Sequence, residues 1–238
     1  MTNEAELNIA GGGKKTILVL GDSLAFPRAH KGQKICETWP ALLQRYSIDT
    51  YLWNRAYPAS TSHDVLANIQ QLMFYCHVDY PQIDLIVVQV GICDATPRDL
   101  PKSFERLLSL LPRGSARISS MIVLLLKLFR LRQQPWVRIE DFENNICKIA
   151  DSSLILSKEV YFISIAPPCH YLLINRPGLD KDVLRYNLAI ERALQNKPKC
   201  TLINPLPIDA SDCLLEDGHH LTLTGHQLIA KTILKLSI

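Results

Sequence analysis

Thr16-Ile-Leu-Val-Leu20, followed directly by Gly21-Asp-Ser-Leu24, is the stretch that decides the fold of this 238-residue sequence. The apolar run is short, contains β-branched side chains and is bounded by a glycine, which predicts a buried β-strand. Ser23 is therefore expected where this strand ends and a loop begins. The position matters because ligands of parallel sheets bind at the carboxyl ends of the strands.

Strand-like and helix-like segments alternate through the rest of the chain. Strands are predicted at Thr16–Leu20, Thr50–Asn54, Asp84–Val90, Val160–Ile165 and Thr201–Asn204. Helical patterns fall at about 38–46, 61–77, 103–111, 116–133, 139–157, 180–196 and 222–236. Repeated units of strand and then helix imply a parallel sheet covered on both faces and joined by right-handed crossovers. We therefore expect an α/β domain with a five-stranded parallel sheet.

The composition is that of an ordinary globular protein, with 47% hydrophobic and 21% charged residues. The net charge of +3 is too small to indicate nucleic-acid binding, and no spaced aromatic residues suggest base stacking. The seven cysteines are odd in number and lack a Cys-x-x-Cys spacing. This argues against a disulfide framework and a zinc cluster, and it favours a reducing compartment.

Targeting and membrane signals are missing from the sequence. Residues 1–10 are polar and acidic, unlike a secretory signal, and the longest apolar run, 121–126, is far too short to span a bilayer. The sequence therefore predicts a soluble, cytoplasmic protein, without indicating its oligomeric state.

Residues 1–14 are expected to form a flexible tail before a single domain at 15–238. The tail ends in Gly11-Gly-Gly-Lys14, which precedes the first strand instead of following it, so it does not form a phosphate-binding loop. The sequence has no pattern typical of a metal site either. We expect neither a cofactor nor a metal.

A basic helical insertion is predicted at about 98–138, a segment that contains nine lysines and arginines but only two acidic residues. One interpretation is a surface helix whose apolar face packs on the sheet and whose charges are solvated. The other is a lid or docking surface for an anionic substrate or, less favoured, for a membrane face.

The segments with chemically interesting residues all follow predicted strands. In chain order they are Ser23, Ala59–Ser60, Gly91–Asp94, Pro167–His170 and Asp217–His220. Because the carboxyl ends of parallel strands lie along one edge of a sheet, these segments should form one rim.

The last of these segments places an acid three residues before a histidine. Ser23 as a nucleophile needs a base, which His220 would provide, and Asp217 would hold the imidazole in the correct tautomer. Taken alone, each motif has a simpler explanation, as a capped turn or as a loop that enters a helix. Their occurrence together, in this order and architecture, favours a site for acyl transfer through serine.

These motifs make the sequence similar to the SGNH, or GDSL, hydrolase family, and the resemblance extends from Thr16 to the final helix. It implies a three-layer α/β/α sandwich with a flavodoxin-like sheet, and an enzyme that hydrolyses or transfers acyl esters. By the same resemblance Ser23 is the nucleophile, His220 the base and Asp217 its partner. His219 has the wrong spacing for the base and is interpreted as a rim residue.

Two inner motifs of the family are altered in this chain. The family has a glycine whose backbone N–H helps to form the oxyanion hole; Ala59 best fits this position, and Ser60 is the alternative. Alanine keeps that donor unless the position requires a positive φ. Where the family has Gly-x-Asn-Asp, the chain reads Gly91-Ile-Cys-Asp94, so a weak thiol donor replaces an amide. The predicted oxyanion hole is Ser23, Ala59 and Cys93, and loss of one side-chain donor typically costs about 10²–10³ in turnover.

The sequence predicts a serine-dependent ester hydrolase that acts through an acyl-enzyme on a small or carbohydrate-linked ester. Two alternatives stay open: an O-acyltransferase acting on a glycan in surface-polysaccharide assembly, and a catalytically weak relative that binds a glycan or protein partner. Cys93 as the nucleophile is a less favoured alternative.

Arg28 and Arg98, just past two strands, are placed where they could meet a negatively charged acceptor. The other residues predicted to bind substrate are Asp22, Ser60, Gly91, Asp94 and His170.

Overall fold

The five predicted strands form one parallel sheet in the computed structural model, which describes residues 15–47, 49–75, 83–98, 134–207 and 209–237. The strands are β1 (Lys15–Gly21), β2 (Thr50–Asn54), β3 (Ile83–Gln89), β4 (Ser157–Ile163) and β5 (Cys200–Ile203). They lie in the order β2-β1-β3-β4-β5, and each neighbouring pair is parallel. This flavodoxin-like order confirms the predicted fold class.

Helices cover both faces of the sheet. Within the described residues they are α1 (Trp39–Tyr46), α2 (Ser62–Tyr75), α3 (Ile92–Ala95), α4 (Ile139–Leu156), α5 (His170–Asn175), α6 (Leu179–Leu194) and α7 (Leu223–Ser237). The long helix α4 packs between α2 and α6, whereas α1 packs against α7. Together with the sheet these two groups make the three layers of an α/β/α sandwich. None of the described helices combines the length and the apolar character needed to cross a bilayer.

The boundaries of β4 differ from the prediction. This strand begins at Ser157 instead of Val160, because α4 ends at Leu156 and the chain passes directly into the sheet, where Ser157 pairs with Ile83. The short helices α3 and α5 were not predicted, since neither is long enough to show a helical period. The predicted tail at 1–14, the predicted helices at 103–111 and 116–133, and most of the basic insertion at 98–138 lie outside the described residues.

The core is centred on β1 and β3, which are buried on both faces. Ile17 to Leu20 and Leu85 to Val88 are at most 2% exposed. Such continuous aliphatic runs are typical of central parallel strands, because helices cover the sheet on both sides. From β1 the chain crosses first to β2 on one side and then to β3 on the other, so the strand order reverses between β1 and β3. Ligand crevices of open α/β sheets lie at such a reversal, and Ser23 follows β1 at this point.

Candidate active site

The end of β1 places Ser23 above the edge of the sheet. Gly21 is required there, because a Cβ at this position would lie 2.3 Å from the carbonyl oxygen of Gln89. Asp22 then caps a 3₁₀ turn at Ser23–Ala25, with its Oδ1 accepting the backbone N–H of Leu24 at 2.9 Å. Ser23 is thereby fixed at the start of the turn, where it is 8% exposed.

A tight turn at Asp217–His220 places the histidine. Oδ1 of Asp217 accepts the backbone N–H groups of His219 at 3.2 Å and His220 at 3.0 Å. Gly218 has a φ of 81°, and a Cβ there would lie 2.6 Å from Cβ of Leu172 in α5. Glycine therefore permits both the left-handed backbone and the close packing of this turn.

Ser23, His220 and Asp217 are joined in one chain of hydrogen bonds, which we call the relay side of the site. Ser23 Oγ lies 3.0 Å from His220 Nε2, and His220 Nδ1 lies 2.7 Å from Asp217 Oδ2. Burial would raise the pKa of Asp217, but hydrogen bonds and the charge of His220 outweigh it and hold that pKa well below its usual range. An ionised carboxylate only accepts hydrogen bonds, so Nδ1 of His220 carries the proton and Nε2 faces Ser23 as the acceptor.

His219 lies beside the relay side, on the rim. Its ring centroid is 4.1 Å from that of His220, and its Nδ1 lies 3.2 Å from the carbonyl oxygen of Asp217. Burial, together with the neighbouring His220, lowers the pKa of His219 to about 4. His219 is therefore neutral at pH 7, with Nδ1 donating to the carbonyl.

A pocket of about 250 Å³ opens at this rim. It is lined by Ser23, Arg28, Pro58, Ala59, Ile92, Cys93, Arg98, His219 and His220. A larger groove of about 630 Å³ lies between α4 and α6. An ion pair between Glu143 and Arg192 lies in that groove, and no serine lines it, so the smaller pocket is the candidate site.

Ala59 and Cys93 also line the pocket. Because the sequence predicts an oxyanion hole at these two residues, we call them the oxyanion side. Ala59 has a φ of 58°, in the left-handed region that costs an L-residue about 1–2 kcal/mol. Replacement of a glycine is therefore less easily tolerated here than the sequence suggested. No backbone acceptor in the described part of the chain takes the N–H of Ser23 or of Ala59. Cys93, in α3, is 5% exposed and also faces the pocket.

None of the five residues that were predicted to bind substrate lines the pocket. His170 is exposed at the start of α5, and Ser60 and Gly91 are buried. Asp22 and Asp94 are fully buried, and Asp94 Oδ1 accepts the backbone N–H of Ser62 at 2.8 Å, which fixes the start of α2. These two carboxyl groups support the loops of the site and do not reach its surface.

Burial raises the pKa of Asp22 to about 7. The hydrogen bond from Leu24 and the positive charge of Arg28 oppose this shift, and the negative charge of Asp94 adds to it. Asp22 therefore changes its charge near neutral pH.

Pro58 and Ile92 line the pocket although sequence reasoning missed them. Each directly precedes a residue assigned to the oxyanion hole, Ala59 or Cys93, and this adjacency was the only signal in the sequence. Arg28 and Arg98, which the sequence placed near an acceptor, both line the pocket.

Asp217, His219 and His220 are the group of metal-ligating type in the described residues, with ligand atoms within 4.8 Å of one another. Both ring nitrogens of His220 already take part in hydrogen bonds, to Ser23 and to Asp217. A cation at these residues would have to displace the bond between His220 and Asp217, so the donor set fits a proton relay better than a metal.

No protein-family model matches this sequence, and a search of curated proteins finds no significant match. Solved structures do match along almost the whole chain. LAE5, an α/β hydrolase enzyme from the metagenome of Lake Arreo, has a TM-score of 0.61 at 17% identity, over 95% of this chain and 96% of that one. A lipase/acylhydrolase from Enterococcus faecalis has a TM-score of 0.61 at 14% identity, over 93% and 94% of the two chains.

A protein of the lipolytic G-D-S-L family from Veillonella parvula has a TM-score of 0.59 at 12% identity, over 93% of this chain and 97% of that one. At such low identities the similarity concerns the fold. The strand order and these neighbours agree: the chain has the fold of the SGNH, or GDSL, hydrolases.

Proposed function

We propose that the protein hydrolyses carboxylic esters through Ser23. The observation that carries the proposal is the hydrogen-bonded chain from Ser23 Oγ through His220 to Asp217, with distances of 3.0 and 2.7 Å. These are the contacts by which a base activates a serine and a carboxylate orients that base. The similar folds of a lipase/acylhydrolase and a lipolytic protein support the same class of chemistry.

In the first half of the reaction Ser23 Oγ attacks the ester carbonyl while Nε2 of His220 takes the hydroxyl proton. Asp217 holds Nδ1–H and stabilises the imidazolium that forms. Nε2 then gives its proton to the leaving alcohol, and Ser23 is left acylated. In the second half, water attacks the acyl-enzyme with His220 again acting as the base, and Ser23 is regenerated.

The backbone N–H groups of Ser23 and Ala59 stabilise the oxyanion that forms in each half. They are suited to this role because neither donates to a backbone acceptor among the described residues and both belong to residues that line the pocket. Cys93 adds a thiol, which is a weaker donor than the amide of the family pattern. We therefore expect slower turnover of unactivated esters than a complete oxyanion hole would give.

The pocket favours a short acyl group, since about 250 Å³ is less than drug-sized ligand sites offer. A hydroxyl of a sugar in place of water would make the same site an O-acyltransferase.

The six cysteines in the described residues are free of disulfide bonds. Free thiols are typical of reducing compartments, which supports a cytoplasmic setting.

The test is turnover of 4-nitrophenyl acetate by the wild type and by Ser23→Ala. We expect the substitution to abolish the enzymatic rate, and an exposed serine, changed in Ser211→Ala, serves as the matched control. Labelling by a fluorophosphonate should occur in the wild type and not in Ser23→Ala. Equal rates for the wild type and Ser23→Ala would refute the proposal.

A catalytically weak relative that binds a glycan or a protein is the second candidate. Two observations favour it: the left-handed backbone of Ala59 and the thiol at position 93. Fluorophosphonate labelling of Ser23 without measurable ester turnover would support this candidate, because it would show an activated serine with an ineffective oxyanion side.

A further inference from the structure

Two arginines, Arg28 and Arg98, line the pocket, and within the described residues neither forms an ion pair with a carboxylate. Arg28 follows the 3₁₀ turn that carries Ser23, and Arg98 follows α3. Nε of each guanidinium is buried and has no hydrogen-bond partner in the described residues. Both arginines are half-buried, and the charge of Arg28 is felt by the buried carboxyl group of Asp22 without a hydrogen bond between them. A partly buried charge that lacks a hydrogen-bonded counter-ion favours the binding of an anion.

Arg98 is held in a defined orientation. Its guanidinium carbon lies 4.8 Å from the ring centroid of Trp136, and its backbone N–H donates to the carbonyl of Gln134 at 3.0 Å. Stacking on an indole fixes the plane of a guanidinium and leaves the N–H groups at its edge available. Such an edge matches the geometry of a carboxylate or a phosphate.

Arg28 is tied to the segment that carries the base. Its backbone N–H donates to Oε1 of Gln33 at 2.8 Å, and Nε2 of Gln33 donates to the carbonyl of Leu221 at 2.7 Å. Leu221 directly follows His220. One glutamine therefore fixes the backbone of Arg28 relative to the residue that activates Ser23.

The charge of the pocket lining is positive at neutral pH. No acidic residue is among the lining residues, and His219 is neutral. Asp217 lies behind His220, and the carboxyl groups of Asp22 and Asp94 are buried below the surface of the site. An anion that enters the pocket would meet two guanidinium groups and no carboxylate.

We propose that the ester taken by this site carries a compact oxyanion, a carboxylate or a phosphate, that binds to Arg28 and Arg98 beside the carbonyl attacked by Ser23. This inference rests on the proposed esterase function and adds the substrate class. The small volume requires the anion to be only a few atoms from the carbonyl.

Matched pairs of esters test the proposal. Mono-4-nitrophenyl succinate and its methyl ester place the charge on the acyl side. On the leaving-group side, 4-acetoxybenzoate and 4-acetoxyphenyl phosphate are compared with methyl 4-acetoxybenzoate. We expect kcat/KM of the wild type to be at least about tenfold higher for one charged ester than for its neutral partner, as one charge-assisted hydrogen bond provides. The charged ester that is preferred over its neutral partner shows whether the anion is a carboxylate or a phosphate, and whether it lies on the acyl side or on the leaving group.

Variants of the two arginines test whether Arg28 and Arg98 cause the preference for the charged ester. Arg28→Gln and Arg98→Gln should each lower the ratio of charged to neutral kcat/KM by about tenfold or more, and Arg28→Lys and Arg98→Lys should lower it less. Arg45→Gln, at an exposed arginine of α1, is the control and should keep the wild-type ratio.

Equal kcat/KM for charged and neutral esters in the wild type would overturn the proposal and leave the esterase function intact. An equal loss for both esters in Arg98→Gln would also overturn it, because Arg98 would then act on the reacting carbonyl.

If no ester is turned over and Ser23 is not labelled, the proposed function fails. The anion site can then still be tested by measuring ligand binding. Calorimetric titration of Ser23→Ala with mono-4-nitrophenyl succinate and with its methyl ester should then still show tighter binding of the charged ester, lost in Arg28→Gln and Arg98→Gln. Equal binding of the two esters would overturn the anion site as well.

Discussion

The relay side and the oxyanion side of the pocket differ in how closely they match serine acyl-transfer chemistry. On the relay side, Ser23, His220 and Asp217 form an unbroken chain of hydrogen bonds. On the oxyanion side, Ala59 holds a left-handed backbone and Cys93 stands in the place of an amide. Under the proposed function, activation of the nucleophile and stabilisation of the developing charge would be carried by separate segments of the chain, so each could be changed without the other.

The strongest test of the relay side is Asp217→Asn. An amide does not stabilise the imidazolium and favours the wrong tautomer of His220, so kcat for 4-nitrophenyl acetate should fall by about 10⁴-fold. Asp212→Asn, at an exposed acid a few residues away, is the matched control. A loss of less than about tenfold would show that His220 works without Asp217.

The oxyanion side should respond in the opposite direction to Cys93→Asn. Because one side-chain donor is typically worth about 10²–10³ in kcat, restoring an amide should raise kcat by about 10- to 100-fold. Cys93→Ala removes the thiol without adding a donor and should give no gain. If Cys93→Asn folds normally and is no faster than the wild type, another donor already occupies the oxyanion side.

Titratable groups at and near the site should make the stability of the fold respond to pH in opposite directions. His219, with a pKa near 4 in the folded chain and 6.5 unfolded, favours folding above pH 6.5, and this contribution is lost as the pH falls towards 4. His226, whose pKa burial lowers to about 4, acts in the same direction. Asp22, raised from 3.8 to about 7, favours folding at low pH, and its contribution is lost as the pH rises through 7.

Urea unfolding measured between pH 4 and 8 would separate these contributions. Each group changes the slope of the unfolding free energy by at most about 1.4 kcal/mol per pH unit. His219→Gln should flatten the loss between pH 6.5 and 4, and Asp22→Asn should remove the loss between pH 4 and 7. Unchanged slopes in both variants would contradict the assigned pKa shifts.

The smallest expected effect is that of Ala59→Gly. Glycine avoids the left-handed strain of about 1–2 kcal/mol but loses more backbone entropy on folding, so the unfolding free energy should rise by about 0.5–1 kcal/mol. Ala193→Gly within α6 is the control and should lower the unfolding free energy by about 1 kcal/mol. Loss of stability in both variants would show that the backbone of Ala59 is unstrained.

The sequence predicted the sheet well because its strands are chemically distinct. The aliphatic runs of β1 and β3 can be buried only between two layers of helices, and the structure confirms them within one or two residues at each end. The sequence also singled out Ser23, Asp217 and His220 as candidates, since each lies in a short motif, and the structure brings the three together. The hydrogen bonds between them were not visible in the sequence, because they depend on three-dimensional packing.

Other features of the site have no local signal at all. The positive φ of Ala59 is imposed by the surrounding loop, and alanine is not a residue that predicts such a backbone. The stacking of Arg98 on Trp136 joins residues separated by 38 positions, most of them outside the described residues. Burial of Asp22 and Asp94 below the pocket likewise follows from the tertiary structure, so the sequence, which predicted that both bind substrate, could not show it.

The hydrogen bond between Ser23 and His220 spans 197 positions of the chain. Lys15 Nζ, at the start of β1, also donates to the carbonyl of Ser237 at 2.8 Å, so the first strand meets the end of α7. Closing so long a loop is entropically unfavourable, and folds dominated by such distant contacts form slowly. Under the proposed function the serine would stay unreactive until folding brings His220 to it, so labelling by a fluorophosphonate would time the assembly of the site.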